Sequence, residues 1–500
     1  MVGKYNSKLL SNDFLISTLP NDFIISKNLN NNYNVETVTN SSKNMKDNSI
    51  FFAIKGFAKN GEEYIQDVLK YKNITIILES SNVYNNLVSK TNNIVLVKEI
   101  RKCFSLINSE FYGNPKDDLR FIGVTGTNGK TSTSWILHSL LSSQGIKAGL
   151  LSTEGYRCGN DKICQYSQHL TTPEPNEIHR ILLHFKCEDC KIVIIEASSH
   201  ALFLDRLYGI NFEIGLFTNL SSEHLDFHKT MNEYLESKLI LFNNSNKKII
   251  NCDCKYLNDL HNIDKLFKIG KNSSNDYKIS NIENTHIITY FMLEVNYALY
   301  EIESHLLGIH NVYNLAMAIA ATNIIGFDMK KIIKSIPDIS QIPGRLEFIE
   351  LFERTVIIDF GHTPDSIKEV LLFLRKKFER IITLVGSAGG NRDPGKRSPI
   401  GYEASKNSDY VIFTEEDCRN TPIEKILKQM ESGALKTNKK NYELIPNRRE
   451  AIKQTAKISQ KKDAIVFFGK GVEKTLERKF EIVEWSEKKE IIKIYNEFFK

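Results

Sequence analysis

No stretch of this 500-residue chain approaches the roughly 18 uninterrupted apolar residues of a membrane-spanning helix, which argues against membrane insertion. The opening "MVGKYNSKLLSNDF" lacks the apolar core of a secretory signal. Dense Lys/Arg runs are missing too. With 66 basic and 60 acidic side chains the net charge is +6, so small anionic substrates are expected rather than nucleic acid. Cysteine is scarce, eight in all, which fits reduced thiols and a cytoplasmic setting. Cys187 and Cys190 (C-x-x-C) and Cys252 and Cys254 (C-x-C) could together make a zinc site, although neither spacing is that of paired C-x-x-C modules. No internal repeat is present.

What is present is length and alternation. Five hundred residues, 41% of them hydrophobic, suffice for about three domains. Short β-rich apolar runs end abruptly in polar residues: "FIGVTGTNGK", "KIVIIEASSH", "IGLFTNLSSEHLD", "TVIIDFGHTPD", "IITLVGSAGGNRD", "YVIFTEEDCR" and "AIVFFGKGVE". Buried parallel strands read this way, and ligands of open α/β sheets bind beyond their carboxyl ends. Helical patterns over 131–143, 311–324 and 365–378 lie between the runs. The alternation predicts an α/β fold of doubly wound units. Boundaries are expected near "GNPKDD" (113–118) and "QIPGRLEF" (341–348), giving domains 1–115, 116–341 and 342–500. The Asn-rich 28–34 reads as a surface loop.

The run "FIGVTGTNGKTSTSW" (121–135) resembles a phosphate loop, with Val124 where the usual first glycine would stand. Gly126 and Gly129 let successive backbone N–H groups and the start of the next helix face phosphate oxygens. Lys130 would neutralise the β and γ phosphates of ATP, and the Thr131 hydroxyl would ligate Mg²⁺.

"GVTGTNGKTS" resembles the ATP loop of the Mur ligase family. Eight further stretches resemble it in order: "TTPEP" (171–175), "EASSHAL" (196–202), "TNLSSEHLDFH" (218–228), "GIHNVYN" (308–314), "PGRLE" (343–347), "DFGHTPDS" (359–366), "GGNRDPGKR" (389–397) and "GKGVE" (469–473). The resemblance implies a small N-terminal α/β domain for a UDP-sugar, a central P-loop domain with a doubly wound, mostly parallel sheet, and a C-terminal Rossmann-like domain for an amino acid. It implies ATP-dependent amide formation through an acyl phosphate, chemistry that rests on positioning and charge neutralisation. The members most resembled add meso-2,6-diaminopimelate to UDP-N-acetylmuramoyl-L-alanyl-D-glutamate for the cell wall. L-Lysine or another diamino acid, and a P-loop regulatory NTPase, are the alternatives. A monomer is expected.

The same resemblance assigns residues. Gly126, Thr127, Asn128, Gly129, Lys130, Thr131 and Ser132 would hold ATP phosphates, with Asn311, Asn314, Arg345, Asp359 and His362 at the base and ribose. Thr131, Glu196, His224 and Lys238, the last converted by CO₂ to a carbamate, would hold Mg²⁺, with Lys130, Glu196, His224 and Lys238 catalytic. By pattern alone Lys238 is a helix-surface lysine. Ser42, Thr171, Thr172, Ser198 and Arg206 would contact the sugar-nucleotide peptide. Arg392, Glu416, Asp417, Arg419, Gly469 and Glu473 would receive the amino acid, Arg419 offering a fork for a distal carboxylate that lysine lacks. The sequence departs from the family at Ser41 and Lys43, at Leu204, at Asp417 and Cys418 where Asn-Pro is usual, and at Val472 in place of histidine. An Arg419–Asp417 ion pair is the bland alternative.

Overall fold

The computed structural model describes residues 10–500 except 57, 58, 92, 162, 168, 169, 261, 262, 273, 286 and 391, and leaves aside the side chains of 226, 258 and 259. Asn391 of "GGNRDPGKR" thus lies outside the described residues. The chain forms two compact units, one of residues 1–125, 141–217 and 236–248, the other of 126–140, 218–235 and 249–500.

The first unit holds a sheet ordered 24–29, 93–97, 74–78, 49–52, 37–39, parallel except for the antiparallel edge strand Ile24–Leu29. Residues alternate between two cores: Ile50, Phe52, Ile77, Val95 and Val97 face the helix Ile100–Phe111, while Phe51, Ile76, Leu78, Ile94 and Leu96 pack on the opposite side. Period-2 alternation with both faces covered is what makes these strands read as continuous apolar runs. The Asn-rich stretch is only partly a loop, because Asn28 and Leu29 complete the edge strand. Asn31 is pinned by Asn93 and Asn73, so the polar side chains replace a hydrophobic anchor.

Four further strands of this unit, Phe212–Phe217, Arg120–Thr125, Ile192–Glu196 and Ala148–Ser152, pair in that order, all parallel. Gly155–Cys158 closes the edge antiparallel. The C-x-x-C does not act as a pair: Cys187 is exposed, whereas Cys190 is buried with its sulfur 3.2 Å from that of Cys158.

The second unit contains a sheet ordered 347–351, 354–359, 464–468, 381–385, 410–413, 442–444, parallel apart from its first strand. It is doubly wound. Ile357, Val385, Val411, Phe413, Val466 and Phe468 pack on helices Pro364–Arg375, Arg397–Asn407 and Ile423–Ala434. Val356, Ile358, Ile382, Leu384, Ile412, Ile465 and Phe467 meet Arg448–Ile458 and Glu487–Phe499 on the other face. Arg448 and Glu487 are fully buried and paired at 2.7 Å, and Arg448 also donates to the carbonyls of Glu415 and Phe468. Among the described residues no helix is long and apolar enough to cross a membrane.

Candidate active site

After the strand Arg120–Thr125 the chain turns through Gly126–Gly129 into the helix Lys130–Ser143. Gly126 (φ 144°) and Gly129 (φ 82°) need to be glycine, because a Cβ would meet Thr218 Oγ1 at the first and Asn314 Oδ1 at the second. The loop is held by neighbours in the second unit. Thr127 N donates to Asn219 O (2.9 Å), Asn128 N to Asn219 Oδ1 (2.9 Å), and Thr218 Oγ1 to Asn128 O (2.6 Å). Thr127 Oγ1 lies 3.2 Å from Tyr234 OH. Lys130 Nζ folds over the turn and donates to the carbonyls of Gly126 (2.9 Å) and Thr127 (2.8 Å). The lysine thus lies folded across a glycine turn at a helix start, the arrangement expected of a phosphate loop. Ser132 is buried in the first turn of the helix.

The residues expected at the base and ribose adjoin this loop. Asn311 and Asn314 share a face of the helix Ile309–Ile324: Asn314 Nδ2 donates to Asn311 Oδ1 (3.1 Å) and Asn314 Oδ1 accepts from Thr133 (3.2 Å). Arg345 Nη2 donates to Thr131 Oγ1 (3.1 Å), and its guanidinium lies over the Phe360 ring. Asp359 turns both oxygens to backbone, accepting from Leu346 N (2.8 Å) and Gly361 N (2.7 Å). His362 Nε2 is 2.7 Å from Glu223 Oε1, and His224 Nε2 is 3.7 Å from Glu223 Oε2. Burial alone would raise the Glu223 carboxyl, but His224, His362 and the His362 hydrogen bond outweigh it and hold it well below the usual carboxylate range. His224 has a left-handed backbone (φ 57°), uncommon outside glycine.

In the first unit a second group gathers at the carboxyl end of Ile192–Glu196. Glu196, fully buried, accepts from Thr153 N (3.2 Å) and Thr153 Oγ1 (3.0 Å). Thr171 Oγ1 lies 3.2 Å from the same Thr153 hydroxyl. Thr172 Oγ1 donates to Glu196 O (2.6 Å), and Ser198, 3.2 Å from Thr172, caps the helix Ser199–Phe203. Arg206 bridges Thr172 O (2.9 Å) and Glu174 (2.6 Å). Ser42 opens a short turn after the strand Thr37–Thr39. Lys238 departs from its surface reading: it is 1% exposed in the helix Met231–Asn243. Burial of an ammonium is costly unless the charge is answered, which distinguishes this lysine from a solvated one.

The expected amino-acid residues come together in the second unit, beyond the strands Ile381–Val385, Tyr410–Phe413 and Ala464–Phe468. Gly389 N donates to Asp417 O (2.7 Å) and Gly390 N to Thr421 Oγ1 (2.9 Å), which docks the 386–390 loop on 416–421. Gly469 packs against Glu416, whose Oε2 is buried without a hydrogen-bond partner among the described residues. Asp417 Oδ1 accepts from Lys470 Nζ (2.8 Å), which also pairs with Glu473 (2.5 Å). Burial lowers Lys470, but Glu473 and Asp417 more than offset it and raise it above an ordinary lysine; Glu473 is raised by its own burial. Arg392 is exposed and, with Gly390, Arg397, Thr421 and Lys425, lines a hollow of about 280 Å³. The suspected Arg419–Asp417 pair exists at 3.6 Å, but the closer partner is Glu477 at 2.6 Å.

The Mur ligase middle domain matches residues 124–322, and the Mur ligase, glutamate ligase domain matches 344–471. The chain belongs to the Mur ligase family. A UDP-N-acetylmuramoyl-L-alanyl-D-glutamate–2,6-diaminopimelate ligase of Clostridium tetani (strain Massachusetts / E88) is 35% identical over 472 residues, spanning 93% of this chain and 96% of its own. A ligase of the same name from Aquifex aeolicus (strain VF5) is 36% identical over 441 residues, 88% and 89% of the two chains. A solved structure of a ligase of that name superposes with a TM-score of 0.63 at 26% identity, covering 93% of this chain and 95% of the other.

Several contacts in this Mur ligase have no counterpart in the sequence reading. Asn219 and Glu223 sit inside "TNLSSEHLDFH", and the rule that polar residues at strand ends build sites pointed to that stretch without singling them out. Glu477, 58 residues beyond Arg419, carries no motif at all.

Proposed function

We propose that this Mur ligase joins meso-2,6-diaminopimelate to the D-glutamate of UDP-N-acetylmuramoyl-L-alanyl-D-glutamate with ATP, in peptidoglycan precursor synthesis. The glutamate carboxylate attacks the γ-phosphorus, the bond to the β-γ bridging oxygen breaks, and an acyl phosphate and ADP result. The amine then attacks the acyl carbon, phosphate leaves, and the amine proton is lost as the amide forms. In this reading residues 1–115 take the sugar nucleotide, 116–341 bind ATP and 342–500 receive the amino acid. The protein works as a cytoplasmic monomer.

Lys130 and the backbone of Gly126–Ser132 carry phosphate charge, and Asn311, Asn314, Arg345, Asp359 and His362 shape the nucleotide pocket. Thr172 and Arg206 orient the peptide carboxylate, with Ser42, Thr171 and Ser198 on the same substrate. Magnesium fits the chemistry of the residues assigned to it, since Thr131 and Glu196 offer the hard oxygens it prefers and Glu196 is held rigidly by Thr153. His224 and a carbamate on Lys238 complete that set. When bound, magnesium neutralises charge developing on the transferred phosphoryl group.

The observation that carries the choice of amino acid is the orphaned Glu416 Oε2, an acceptor for an ammonium, beside the Arg419 guanidinium, a donor for a second carboxylate. The acidity of Asp417, which would favour lysine, is answered by buried Lys470. The test is phosphate release from ATP and Mg²⁺ with the sugar-nucleotide dipeptide and either meso-diaminopimelate, L-lysine or no amino acid, with product mass read in parallel. Release that needs both the dipeptide and diaminopimelate is expected. Release with lysine alone overturns the amino acid, and release indifferent to the dipeptide overturns the ligase.

A further inference from the structure

Arg419 is gripped from behind. Its backbone is left-handed (φ 47°), a conformation a non-glycine residue keeps only when its surroundings enforce it. Glu477 supplies two of the enforcing contacts: its carbonyl accepts from Arg419 N (3.1 Å) and its carboxylate from Arg419 Nε (2.6 Å). Glu477 is itself fixed, its N–H donating to Asp417 Oδ1 (3.0 Å), the oxygen that also accepts from Lys470. At 3.6 Å, Asp417 Oδ2 attracts Arg419 Nη2 without hydrogen-bonding it.

The consequence lies in which donors remain. Nε–H is committed to Glu477, while Nη1 and Nη2 make no hydrogen bond to any described residue, and the side chain is 31% exposed. Those terminal nitrogens form the planar fork that takes a carboxylate bidentately. A free arginine would lose rotamer freedom on clamping a ligand, whereas one already held by Nε loses less.

We infer that Glu477 is a positioning residue for amino-acid specificity: it holds Arg419 by its Nε edge so that the Nη1/Nη2 fork meets the distal carboxylate of the incoming diamino acid. This rests on the function proposed above. Asp417 and Lys470 serve as the brace for Glu477, so the acidic residue at 417 orients the cation and does not reverse the pocket's preference.

The experiment uses the full chain and measures KM for meso-diaminopimelate, L-lysine, ATP and the sugar-nucleotide dipeptide in Glu477→Ala, Glu477→Gln and Arg419→Ala. Glu477→Ala should raise KM for diaminopimelate by about three- to tenfold, the equivalent of freeing one long side chain, while KM for ATP and the dipeptide stays put. Glu477→Gln keeps an oxygen for Nε–H and should recover most of that loss. Any turnover of L-lysine, which has no distal carboxylate, should be insensitive to Glu477. On an Arg419→Ala background the Glu477→Ala effect should vanish.

An unchanged KM for diaminopimelate in Glu477→Ala overturns the inference, and so does a parallel rise for all substrates, which marks a structural role. Both outcomes leave the proposed ligation intact, provided the unmodified chain turns over diaminopimelate. If the unmodified chain prefers lysine or shows no diaminopimelate-dependent release, the reading beneath the inference fails and takes it along.

Discussion

His179 lies wholly inside the first unit, on the helix Pro175–Cys187, with neither ring nitrogen hydrogen-bonded to a described residue. Burial, aided by the positive charge of Lys116, pushes its pKa down to about 3. Above pH 6.5, its ordinary value, the ring is neutral in folded and unfolded chains alike. Below that, the unfolded chain takes up a proton the folded chain refuses, so stability falls with pH at about 1.4 kcal/mol per unit until the folded value is reached. His179→Leu should therefore match or exceed the parent at pH 7.5 and lose less stability at pH 5; urea midpoints at the two pH values check this, and an equal acid loss in both proteins refutes it. Glu223 and Glu477 belong to the same scale. Each acts on a residue that the motifs did identify, His362 or Arg419, and neither could be read beforehand, because partner choice depends on a fold that brings residues 139 and 58 apart into contact.

Elements were far more legible. The helices expected over 131–143, 311–324 and 365–378 form as Lys130–Ser143, Ile309–Ile324 and Pro364–Arg375, since their apolar spacing and, in the last, the Thr363/Ser366 capping box act locally. Parallel strands announced themselves as apolar runs because both faces are covered. The strand Ile24–Leu29 did not, since its edge position leaves Ile25 and Lys27 exposed and admits Asn28 next to its end. The helix Glu487–Phe499 shows how an element is secured by charge as well as by apolar packing. Its Glu487 accepts from Arg448 through both oxygens and from Trp485 Nε1 (2.7 Å). Glu487→Ala strands a buried guanidinium and should cost about 3–5 kcal/mol, read from a tryptophan-fluorescence urea transition. A loss under about 1 kcal/mol would mean that Arg448 finds water instead.

For the whole molecule, ligand binding converts to stability by mass action. ATP with Mg²⁺ at about a hundred times its Kd should stabilise the folded chain by about 2.7 kcal/mol, visible as a raised melting temperature. Lys130→Ala should melt normally without nucleotide, show almost none of that rise, and release no phosphate. A full ATP-induced rise in the variant would remove Lys130 from the nucleotide site. At this scale the family was readable because its nine motifs stand in fixed order along the chain. The burial of Lys238 was not, since a helix pattern does not tell which turn another element will cover. The Arg448–Glu487 pair, finally, sets a schedule for biosynthesis. Arg448 leaves the ribosome 39 residues ahead of its carboxylate, about 2–8 s at ordinary rates of synthesis. Until Glu487 has been made, closing the sheet's second face would bury an unanswered charge, so that face is expected to close last.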